Sequence, residues 1–130
     1  MGQIAVDTSF LIDWQREFNR TGGPVAGFLA AHSEDRFFLS ITALGEFSAG
    51  FADLGAIHYR KVREGFGLLS HDEETALGYR RVFRDLKAKG QLIGTNDLWI
   101  AATALRHDMP LVSRNAHEFE RVPGLKVLAY

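Results

Sequence analysis

Short apolar runs alternate along this chain with stretches in which apolar residues recur every three or four positions, the pattern of strands and helices taking turns. Ile4-Ala5-Val6-Asp7 reads as a buried strand. Ser9 then caps a predicted helix with Phe10, Leu11, Trp14 and Phe18 on one stripe, stopped by Thr21-Gly22-Gly23. Pro24 suits the first turn of a second helix, Val25 to about Ala31. Phe37-Phe38-Leu39-Ser40-Ile41 is the next strand, and from Thr42 a helix aligns Ala43, Phe47, Gly50, Phe51 and Leu54. A further helix is expected over Ile57 to Phe66, followed by a brief strand at Leu68-Leu69.

Asp72 to about Lys89 is the longest helical stretch, with Ala76, Tyr79, Phe83 and Leu86 along one face. Its acids at the start and lysines at the end complement the helix dipole, and Gly90 stops it. Thr95 is the expected N-cap of a helix from Asn96 to His107, striped by Leu98, Ala101, Ala102 and Leu105. Pro110 to Ser113 reads as strand, Ala116 to Phe119 as a short helix, and Leu125 to Ala129 as a last strand. Such alternation predicts an α/β fold: a three-layer α/β/α sandwich with a mainly parallel central sheet. With 130 residues and no repeat or linker, the chain is expected to form one domain spanning 1–130. In such sheets a site belongs at the carboxyl ends of the strands; Asp7 and Ser113-Arg114-Asn115 fall there.

Composition narrows the chemistry. There is no cysteine, hence no thiolate nucleophile, disulfide framework or Cys-type zinc site. No apolar run approaches the roughly 20 residues that cross a bilayer, and Met1-Gly2-Gln3-Ile4 lacks the basic region of a secretory signal. The expected address is the cytoplasm, with no membrane partner. The net charge of −1 does not advertise nucleic acid. Yet Arg60, Lys61, Arg63, Arg80, Arg81, Arg84, Lys87 and Lys89 crowd the middle third, where they form either a ridge for a polyanion or a solvated helix face. The five histidines show no two-ligand helical spacing; His32, His58, His71 and His107 read as surface or capping residues, and His117 lies near the expected site. Trp14, Phe18, Phe51 and Tyr79 could stack bases, but their spacing favours core or dimer contacts.

Three acids stand out. Asp7 ends the first strand, Glu46 interrupts an apolar helix face, and Asp97 opens the stripe from Leu98 to Leu105. A carboxylate among buried residues is costly unless paired, protonated or bound to a cation. Acids from three distant stretches suggest a shared site for a hard divalent cation and, with it, phosphate chemistry. Taken singly, Asp7 also suits a helix N-cap and Asp97 an ordinary first-turn acid; Asp13 is expected to point elsewhere, solvated. A phosphoacceptor signalling domain would need a second acid where Thr8 stands and an Asp ending the Phe37–Ile41 strand, so that reading is set aside.

Val6-Asp7-Thr8-Ser9-Phe10-Leu11-Ile12-Asp13 resembles the opening of PIN-domain nucleases. Ile41-Thr42-Ala43-Leu44-Gly45-Glu46-Phe47 is similar to their second acidic motif, and Ile93 to Ala102, around Asp97, to the third. Leu111 to Phe119 with Val122-Pro123-Gly124-Leu125 resembles the closing segment, and the whole looks most like the VapC-type toxins of toxin–antitoxin pairs. The resemblance implies an endoribonuclease dependent on Mg2+, or Mn2+ in its place, that cleaves RNA phosphodiesters by water attack. It implies a homodimer, and a cognate antitoxin that closes the active-site groove in a heterotetramer or larger assembly. Asp7, Glu46 and Asp97 become the catalytic, metal-binding acids, and Thr8 or Ser9 a supporting ligand or water holder on the substrate side. The fourth acidic position falls on Asn115, an amide, with Glu118 as a substitute if its helix turns inward. Arg114 would contact substrate phosphate or neutralise the acids. The alternative within the same family is a nuclease of housekeeping RNA processing rather than a toxin.

Overall fold

Strand β1 (Gln3–Val6) is apolar on both sides because it runs through the middle of the sheet, and the computed structural model, which describes residues 1–130, buries Ile4, Ala5 and Val6. Helices α1 (Thr8–Glu17) and α2 (Pro24–Ala31) return the chain to β2 (Arg36–Ser40). Helices α3 (Ile41–Ser48) and α4 (Ile57–Gly65) lead to β3 (Gly67–Leu69). Then α5 (Glu73–Ala88) and α6 (Thr95–Arg106) carry the chain back across the sheet to β4 (Leu111–Val112), and α7 (Ala116–Phe119) precedes β5 (Val127–Leu128).

The five strands are all parallel, in the order β3-β2-β1-β4-β5. Right-handed crossovers put α1 to α4 on one face and α5 to α7 on the other, which gives the expected three layers. Between β1 and β4 the chain departs in opposite directions, so a crevice opens at their carboxyl ends. Register places Val6 beside both Leu39 and Val112, so Ser40, Asp7 and Ser113 stand next to one another just past it. A core of 23 buried residues, including Phe10, Leu11, Leu39, Leu98, Leu111 and Phe119, holds the layers together. No helix is long and apolar enough to cross a membrane.

Several expected boundaries move for local reasons. Helix α1 is capped by Asp7 rather than Ser9: the Asp7 carboxylate accepts the Phe10 amide at 3.0 Å. Helix α3 ends at Ser48 instead of running on to Leu54, because Ala49 caps it and Gly50 turns on to the Phe47 carbonyl. Phe51 nevertheless packs on Phe47, with ring centroids 5.0 Å apart, so the apolar spacing marks a real contact made beyond the helix. Helix α6 starts one residue early, with Gly94 rather than Thr95 as its cap. Asp72 caps α5 as part of a capping box with Thr75.

Candidate active site

Asp7 leaves β1 at the crevice and is 3% exposed. Its Oδ1 accepts from the Ser9 hydroxyl at 2.7 Å and from the Phe10 amide, and its Oδ2 accepts from the Ser113 hydroxyl at 2.6 Å. Both serines also accept from the loop after β4: Arg114 N–H reaches Ser9 Oγ at 3.2 Å, and Asn115 N–H reaches Ser113 Oγ at 2.8 Å. The loop is thereby laced to the carboxylate it borders. Burial still raises the Asp7 pKa, against those hydrogen bonds and the positive charge of Arg114.

Glu46, in the second turn of α3, is exposed rather than set into an apolar face. Its two oxygens are each held: Oε1 accepts from Thr8 Oγ1 at 2.5 Å, and Oε2 from Asn96 Nδ2 at 3.1 Å. Asp97, in the first turn of α6, is half-buried, and its pKa is pushed up to about 6. Burial is the largest cause, followed by repulsion from Asp7, Glu118 and Glu46. The three acids singled out in the sequence, with Glu118 from α7, therefore share one negative field although they come from four separate elements.

Other polar groups complete the surroundings. The Thr8 and Ser9 hydroxyls donate to Glu46 and Asp7 and hold the acids in place. Asn115 caps α7 without a side-chain hydrogen bond, so its side-chain carboxamide is free while its backbone N–H is held by Ser113. Arg114 reaches Asp13, Nη1 to Oδ1 at 2.7 Å. Asp13 is not solvated: its side chain is 17% exposed and its second oxygen accepts from Tyr130 OH at 2.6 Å. Asn96 is the position that sequence reasoning passed over, and the contacts of Ser113 and Asp13 escaped it too, because short polar side chains do not reveal partners 50 to 117 residues away. His71 is no simple surface residue: its ring lies 4.7 Å from that of Trp99, nearly parallel, and Nε2 meets Thr42 Oγ1 at 3.2 Å.

Carboxylate, hydroxyl and amide oxygens are the donors that a hard divalent cation takes, and an excess of mutually repelling acids is where its charge is most favourable. By chemistry the residues fit such an ion. In this geometry no three acidic or histidine side chains are drawn closely enough together to grip one ion jointly; Asp7 and Glu46 are held instead by their own hydrogen-bond donors. Asp7, Glu46, Asp97 and Glu118 line none of the four main clefts, two of which, of 300 and 490 Å3, lie between α5 and α6 around Gly78 and Arg81.

Residues 4–125 match the family model described as PIN domain. The chain is 32% identical over 130 residues to Ribonuclease VapC1 of Methanocaldococcus jannaschii, a match covering 96% of this chain and 86% of that one. Ribonuclease VapC1 of Haemophilus influenzae strain R2866 is 31% identical over 99 residues, 71% of this chain and 72% of its own. Among solved structures, VapBC-1 from nontypeable Haemophilus influenzae superposes with a TM-score of 0.77 at 27% identity, covering 98% of this chain and 97% of the other. VapBC2 from Rickettsia felis, bound to a DNA fragment from its promoter, shares the fold with a TM-score of 0.80 at 19% identity, covering 98% of both chains.

Proposed function

The chain belongs to the PIN-domain family, and from that membership we propose that it is an Mg2+-dependent endoribonuclease, the toxin of a toxin–antitoxin pair. The observation that carries the chemistry is the shared field of Asp7, Glu46, Asp97 and Glu118: burial first, and then repulsion from the other three acids, raises the Asp97 carboxyl to about pKa 6. Structural proteins do not gather unpaired acids from four elements at a strand-end crevice without a use for them. An open edge, rather than an enclosed cavity, also suits a polymer substrate.

In this reading Asp7, Glu46 and Asp97 would draw together around magnesium, with manganese as a substitute, and Asn115 or Glu118 would supply the fourth position. Bound there, the ion supplies a Lewis acid that lowers the pKa of water and neutralises charge at phosphorus. The protein's own contribution is position. Ser9 and Ser113 fix both oxygens of Asp7, while Thr8 and Asn96 fix those of Glu46. Arg114 keeps one nitrogen on Asp13, and its remaining N–H donors are free to take a phosphate oxygen. The partners are RNA and a cognate antitoxin, with two copies of this chain pairing and assembling with the antitoxin, as the VapBC names of its structural relatives suggest.

Incubating the purified protein with total cellular RNA, with magnesium or with EDTA, tests the reading. Cleavage should require the ion, and Asp7→Asn and Asp97→Asn should each abolish it while circular dichroism stays native. Retained magnesium-dependent cleavage in both variants, or cleavage undiminished by EDTA, would overturn the assignment.

A further inference from the structure

The carboxyl edge of the sheet carries more than acids. Leu69 pairs with Ser40 in register, Val6 with Leu39 and with Val112, so the segments leaving β3, β2, β1 and β4 start at one level. His71 and Thr42 leave the edge beside β3 and β2, and Asp7 and Ser113 leave it beside β1 and β4. At about 4.8 Å per strand, β3 lies roughly 10 Å from β1, a short step along an extended nucleic-acid strand.

His71 is exposed, yet its ring is not loose. One face lies 4.7 Å from Trp99 at an interplanar angle of 13°, and Thr42 Oγ1 meets its Nε2 at 3.2 Å. Trp99 is itself 4.4 Å from Tyr79, Tyr79 stacks 6.3 Å from Phe83 at 8°, and the Lys87 ammonium sits 5.7 Å above Phe83. The four rings rest on one another, His71 just ahead of α5, Tyr79 and Phe83 on α5 and Trp99 on α6. The face of His71 turned away from Trp99 is therefore a flat π surface already fixed in place, which loses little freedom when something stacks on it. Arg80, Arg84 and Lys87 are exposed along the same helix, and the neighbouring carboxylate of Asp72 is occupied by Arg106 at 3.1 Å and by Thr75.

We propose that His71, backed by Trp99 and steadied by Thr42, is a stacking platform for one unpaired base of the RNA, and that it directs the strand along the sheet edge towards Asp7 and Asp97. The proposal rests on the ribonuclease reading and extends it by naming where a flanking nucleotide is held. Stacking tolerates any base, so the platform contributes affinity and course rather than sequence preference.

The test is fluorescence anisotropy of a labelled single-stranded oligouridylate titrated with protein in an Asp7→Asn background, which binds without cutting. Adding His71→Ala should weaken binding at least about fivefold, whereas His71→Phe should keep it. A matched oligomer of abasic ribose phosphates should bind equally with and without the His71→Ala change. Equal oligouridylate affinity with and without His71 overturns the platform, and so does an equal loss on the abasic oligomer. So does a shift of the His71→Ala protein from dimer to monomer in sedimentation with RNA affinity unchanged, which would make this face a contact between copies. If the unsubstituted protein cuts RNA in magnesium while any of these results holds, only the platform falls. If it neither cuts nor binds RNA, the ribonuclease reading falls with it.

Discussion

Asp97 is the residue on which the electrostatics turn. Its folded pKa of about 6 lies above the ordinary 3.8, so folding favours the protonated acid. The stabilisation from this group is complete below pH 3.8 and is lost as pH rises through 6. Metal-free protein should therefore lose melting temperature between about pH 4 and 6, and Asp97→Asn should flatten that loss and melt at or above the parent at pH 7. A lower melting point for the Asn variant across that range would contradict the shared field. Ser113 is the opposite case, a fully buried hydroxyl that donates to Asp7 and accepts from Asn115. Ser113→Ala should cost about 1–3 kcal/mol in urea denaturation, since it strips a donor from a buried carboxylate and a partner from an amide. The acids themselves were legible in the sequence because each stands out against an apolar neighbourhood. Their surroundings were not: Glu46 proves exposed, and Asp13 proves half-hidden between Arg114 and Tyr130, since both depend on residues that only folding brings near.

Elements were easier to read than their ends. The long amphipathic patterns of α5 and α6 announce themselves, and the two helices form the most extensive helix–helix contact in the molecule. Within it Gly78 is a helix-interior glycine facing Ala102, and a Cβ there would find its nearest atoms at 3.7–4.0 Å, ordinary van der Waals contact. Gly78→Ala should accordingly stabilise the protein by about 0.5–1 kcal/mol through helix propensity, a gain visible as a higher urea midpoint at unchanged slope. A loss would mean that the α5–α6 seam is tighter than its geometry shows. Helix α3 illustrates why boundaries escape the eye. The periodicity through Phe51 is genuine, yet it records packing of Phe51 on Phe47 and Tyr59 after the backbone has already turned at Gly50. Apolar spacing specifies which side chains meet; the backbone hydrogen bonds decide whether a helix carries them there.

One sheet and one core of 23 buried residues bind the molecule together. Unfolding should follow a single transition, with far-ultraviolet dichroism and tryptophan fluorescence tracing the same urea curve. Separate midpoints would reveal a part that melts alone. The order of the strands has a further effect, on timing. The central strand, made first, must wait for β4 to complete its pairing, and with β4 comes the serine that seats Asp7. Every one of the three principal acids is already synthesised by then, but the crevice they border is still unfinished. On the proposed reading, a nascent chain halted before that strand emerges should thus be inert, and any cleavage waits until the strand is made.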